Sequence, residues 1–110
     1  MIQIHYKMDA QGRPERILIT GHAEYSEYGT DIVCAAVSAV SIGLVNAIEK
    51  LTGVVVHQPD DGEGKIDCRR PKQVQDPEVQ EKIALLMEAM LLSLMEIAEG
   101  YPAYVQLKQL

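Results

Sequence analysis

The chain has 110 residues and a formal net charge of −6. That length gives a single domain over residues 1–110 with one core, and it excludes a separate substrate domain. The acidic balance argues against a nucleic-acid-binding surface; it suits a basic partner, and taken alone it reads as a device for solubility.

Ile2, Ile4, Tyr6 and Met8 alternate with Gln3, His5 and Lys7, which is the period of a half-buried strand. Residues 9–15 hold Gly12 and Pro14 and read as a turn, and 16–23 read as the hairpin partner of the first strand. The polar stretch 24–30 reads as an exposed loop. Residues 32 to about 51 read as a helix, capped by Thr30 or Asp31 and ended by Gly53. Residues 54–58 and 65–69 read as strands joined by the turn-rich stretch 59–64. Asp76-Pro77 is a cap followed by a first-turn proline, and it starts a helix that runs to about residue 99. Residues 104–110 read as a terminal strand. The order β-β-α-β-β-α-β predicts an α+β fold of two layers, a mixed or mostly antiparallel sheet packed against two long helices.

There is no Phe and no Trp, so Leu, Ile, Val, Met and Ala must fill the core. The run 83–98 reads as the most apolar, yet it contains Glu88 and Glu96 and is shorter than a bilayer span. It is read as a core or interface helix, not a membrane segment. Leu85, Leu91, Leu92 and Met95 add apolar surface beside its main stripe, which predicts a homodimer across that side. Two Cys without a cationic-then-apolar leader in MIQIHYKM imply free thiols and a cytoplasmic protein.

The chemistry concentrates at Cys34. It falls on the first turn of the first helix, where unpaired N–H groups and a positive dipole favour the thiolate. His22, at the end of the second strand, is placed by a short loop to act as general base and then acid. The oxyanion hole is expected from N–H groups at the helix start, including that of Cys34. Asp31 has two readings, helix cap or a carboxylate that orients His22. Ser38, one turn after Cys34, reads as support for the site, and Gly21 and Gly29 as points of backbone freedom. Tyr25 and Tyr28 are candidate substrate contacts on a loop, 24–30, that closes as a flap. Cys68, His5 and His57 read as structural or exposed. No spacing of Cys and His supports a metal site, and no cofactor is implied.

The stretch GHAEYSEYGTDIVCAAVS, residues 21–38, closely resembles the signature of the ribosomal-processing cysteine protease family, Prp. The resemblance rests on Gly21-His22, on Gly29-x-Asp31-Ile32-Val33-Cys34, and on the spacing between them. It implies a homodimeric cysteine endopeptidase that removes a short N-terminal extension from large-ribosomal-subunit protein twenty-seven, with Cys34 and His22 as catalytic pair and Asp31 as a site residue. Two alternatives stand beside it: a non-catalytic ribosome-associated module that holds a basic tail, and a thiol hydrolase for a small ester or amide.

Overall fold

The computed structural model describes residues 1–27, 29–59 and 64–110. The elements are β1 (Ile2–Met8), β2 (Pro14–Thr20), α1 (Ile32–Thr52), β3 (Ile66–Arg69), α2 (Pro77–Gly100) and β4 (Val105–Gln109). The α+β expectation is met: four strands form a mixed sheet in the order β3-β2-β1-β4, covered by two helices. β1 runs antiparallel to β2 and parallel to β4, and β2 runs antiparallel to β3.

Asp9 closes the first hairpin, its Oδ1 accepting the N–H groups of Gln11 and Arg13 while Gly12 takes φ +77°. The strand expected over 54–58 is reduced to one bridge between His57 and Cys68. Gln58 N–H donates to Asp67 and Arg69 N–H to Val56, so the segment lies along β3 without joining it as a full strand. The expected connection at 59–64 falls largely on residues 60–63, outside the described residues.

Period-two alternation sends Ile2, Ile4, Ile17, Ile19, Cys68 and Val105 into one core with Val33, Val37 and Ile48 of α1 and Ile83, Met87, Met90 and Leu94 of α2. α2 lies against β2 and β4, and α1 lies against α2. The other sheet face is open and polar. There Arg16 stands opposite Arg69, and Leu18 opposite Asp67.

α1, not the 83–98 run, is the one helix among the described residues long and apolar enough to cross a bilayer by length and composition. It leaves Ile32 and Ile42 exposed while contributing Val33, Val37 and Ile48 to the core. On α2 the expected surplus face divides. Leu85 and Leu92 are each 58% exposed, whereas Leu91 is only 3% exposed and belongs to the protein's own core.

Candidate active site

β2 ends at Thr20, and Gly21 turns the chain with φ +84°. A Cβ at this position would sit 2.3 Å from the Met1 carbonyl oxygen, so both conformation and close approach require glycine. Glu24 takes φ +57°, uncommon for a residue with a side chain. Between these two left-handed residues, the buried Ala23 directs its backbone N–H inward, where it donates to Cys34 Sγ at 3.3 Å.

Asp31 starts α1. Its Oδ1 accepts the N–H groups of Val33 and Cys34, both at 3.0 Å. Its Oδ2 accepts the N–H of Tyr25 at 3.0 Å and that of Ser26 at 3.5 Å. Of the two readings of Asp31, capping is the one realised in these contacts, and the same carboxylate also ties the preceding loop to the helix. The Cys34 amide bond, against burial and together with the Tyr25 and Ser26 amides, holds its carboxyl below the usual carboxylate range. The expected oxyanion hole is corrected by this geometry, because the Cys34 N–H is already engaged by Asp31.

A cleft of about 610 Å³ opens beside this helix start. His22, Cys34, Asp31, Ser38, Gly21 and Gly29 all border it, as do Glu24 and Ser26. Ile2, Ile19, Val37 and Ile66 form its apolar wall. Residues separate in sequence, from the end of β2, the loop and the first two turns of α1, thus meet at one cavity. Ser38 is exposed toward it, and the neighbouring hydroxyl of Ser41 is instead buried and donates to the Val37 carbonyl at 2.7 Å.

Tyr25 is not among the described residues that line the cleft. Its ring packs edge-on against Tyr101 and Tyr104, at centroid separations of 5.8 and 5.1 Å, and anchors the loop. Tyr28 lies outside the described residues. Ser26 Oγ and Thr30 Oγ1 lie 3.0 Å apart, and Thr30 N–H donates to the Glu27 carbonyl. The described residues Tyr25, Ser26, Glu27 and Thr30 are therefore each held by a contact.

The second thiol has a different environment. Cys68 is fully buried, and burial, reinforced by the Asp67 charge, pushes its pKa up to about 12. Such a thiol stays protonated and inert. No three His, Cys, Asp or Glu side chains cluster as a metal site among the described residues.

A partly exposed thiol at a helix start, a backbone donor on its sulfur and an imidazole on the same cleft can support acyl transfer. Sequence reasoning missed Ala23, whose contribution is a backbone group with no side-chain signature. Its only trace in the sequence is the glycine two positions earlier.

The comparisons agree with this chemistry. The family profile described as Cysteine protease Prp matches residues 1–106. A ribosomal processing cysteine protease Prp from Staphylococcus aureus is 36% identical over 110 residues, spanning 97% of each chain. A Bacillus subtilis relative of the same name is 41% identical over 85 residues, covering 76% of this chain and 74% of its own. The crystal structure of the S. aureus protease with a covalently linked product peptide has a TM-score of 0.79 at 33% identity, covering 100% of both chains. SMU.848 from Streptococcus mutans has a TM-score of 0.81 at 39% identity, covering 100% of this chain and 94% of that one. With the family matched over nearly the whole chain, at a site built around a helix-start cysteine, the protein belongs to the Prp family of cysteine proteases.

Proposed function

We propose that the protein is a cytoplasmic endopeptidase that removes the N-terminal extension of large-ribosomal-subunit protein twenty-seven. The observation that carries this reading is the placement of Cys34 on the first turn of α1, at a cleft that His22 also borders. His22 takes the Cys34 proton, and the thiolate attacks the scissile carbonyl. The same imidazole then protonates the leaving amine, and water hydrolyses the acyl-enzyme.

Two kinds of relative support the substrate class. The S. aureus relatives are named for ribosomal processing, and two of their structures hold substrate or product peptide. The net charge of −6 suits a basic ribosomal precursor. The protein acts as a homodimer, for which the exposed Leu85 and Leu92 on α2 offer apolar surface. Incubating the protein with the extended precursor and locating the cut by mass tests the reading. A single cut at the extension is expected from the unmodified protein and none from Cys34→Ala. An uncut precursor, or hydrolysis confined to small esters, overturns it.

A further inference from the structure

The α1 start offers the reacting sulfur little of what it was expected to supply. The N–H groups of Val33 and Cys34 both point to Asp31 Oδ1, and Ala35 N–H closes the first helical bond to the Asp31 carbonyl. The Asp31 carboxylate, itself in contact with the Cys34 side chain, only accepts hydrogen bonds and so gives the sulfur no donor. A donor aimed at the sulfur is needed from elsewhere. The structure contains one: the Ala23 N–H, 3.3 Å from Sγ. Its direction is built in by the left-handed turns at Gly21 and Glu24 and by burial of the Ala23 methyl in the core. Gly21 in turn admits no side chain, because a Cβ there would meet the Met1 carbonyl.

We propose that the backbone N–H of Ala23 is the donor that holds negative charge on the reacting group at Cys34, first on the thiolate and then on the tetrahedral oxyanion. The proposal rests on the reading of Cys34 as nucleophile and adds the missing electrostatic partner. In the step, the Cys34 proton passes to His22 and the sulfur forms a bond to the scissile carbonyl carbon. The carbonyl π electrons move onto oxygen. The Ala23 N–H then shifts from sulfur to that oxygen, which is attached to the carbon the sulfur has just joined. The oxyanion collapses, the C–N bond breaks, and His22 returns the proton to the leaving nitrogen. This acylation needs no other reactant and leaves a thioester on Cys34, which water then hydrolyses. A donor positioned before the reaction costs no reorganisation when the charge moves, which is where such groups act most strongly.

Replacing Ala23 with lactic acid, through an α-hydroxy acid at that codon, exchanges the N–H for an oxygen and leaves the methyl in place. The Cys34 alkylation midpoint with iodoacetamide is expected to rise by about one pH unit, the effect of a lost hydrogen bond to the charged form. Turnover of the precursor peptide should fall on the order of a hundredfold, with little change in KM. A purely structural role for the turn would instead lower the thermal midpoint and leave the alkylation profile in place.

A second measurement leaves the backbone intact. The titratable groups bordering the cleft with Cys34 are His22, Glu24 and Asp31. The Ala23 amide proton is expected to move downfield at the pH where the thiolate absorbance appears, and to lose that step in Cys34→Ser. An ester variant with an unchanged alkylation midpoint and turnover, or an Ala23 amide indifferent to thiol ionisation, overturns the proposal. Failure of the nucleophile reading shows itself separately, as full cleavage by Cys34→Ala, and neither the alkylation midpoint nor the amide shift depends on it.

Discussion

The Asp31 carboxylate accepts the Cys34 amide at 3.0 Å through one oxygen and the Tyr25 amide at 3.0 Å through the other. One side chain thereby joins the start of α1 to the loop before it. The loop's position and the thiol's position are set by the same group.

Asp31→Asn keeps one oxygen for the helix amides but presents an NH₂ group to the Tyr25 and Ser26 N–H groups. Hydrogen exchange at those two amides should accelerate on the order of tenfold, the loss expected of a charge-assisted bond. The start of α1 should persist, and KM should suffer more than kcat. Unchanged exchange would mean that the Tyr101 and Tyr104 contacts alone hold the loop.

Two glycines test the turn geometry. Gly21→Ala meets the Met1 carbonyl as well as the left-handed φ, and should cost about 3 kcal/mol or more in urea unfolding. Gly29, at φ +91°, has open space where a Cβ would stand, so Gly29→Ala should cost only about 1–2 kcal/mol. Equal losses would show that the Met1 carbonyl yields.

The two thiols should separate by reactivity. At pH 7.5, more than 4 units below the Cys68 pKa of about 12, mass spectrometry should find a single alkylated cysteine, Cys34. Cys68 should react only after denaturation, as its burial and its pKa of about 12 require. Cys68→Ala should retain most activity and lose roughly 1–2 kcal/mol of stability.

Asp67 supplies an acid-sensitive brace on the open sheet face. Arg16 grips it with two bonds of 3.0 Å, and Arg69 adds another of 2.9 Å. Burial works to raise its pKa, but the two guanidiniums outweigh that and lower it from 3.8 to about 2. A folded pKa below the unfolded one contributes stability above pH 3.8, and that contribution is lost as pH falls through 2. The expected size is about 2 kcal/mol. The Tm difference between the protein and Asp67→Asn should be present at pH 6 and vanish near pH 2; a difference independent of pH would assign it to packing.

Adjacent leucines on α2 distinguish interface from core. Leu92→Glu places a charge on exposed apolar surface and should yield a folded monomer by light scattering. Leu91→Glu buries that charge in the core and should unfold the protein. A dimer unaffected by Leu92→Glu would move the interface to another face.

Much of this architecture was legible in local patterns. Alternation marked β1 and the core residues of β3, and Asp76-Pro77 and Gly53 marked helix ends. The segment 54–58 was misjudged because its apolar residues suit a strand while only His57 meets β3 in a bridge. Leu91 was misjudged because the inward face of α2 is wider than one stripe. At the site, the thiol, the imidazole and the cap were visible as residue types at a spacing. The engagement of both Asp31 oxygens, the Met1 carbonyl against Gly21 and the Ala23 N–H on sulfur depend on how loops close in space, which no local pattern encodes.

β3 is only 4 residues long, yet its neighbours Asp67 and Cys68 have pKa values near opposite limits, about 2 facing the arginines and about 12 facing the core. Slippage of this strand by one position against β2 would turn the carboxylate inward, leave both arginines without their anion and bring the thiol to water. An unpaired buried carboxylate is among the most expensive errors a chain can make. The shortest strand in the sheet thus carries, in two adjacent side chains, the penalty that singles out its register.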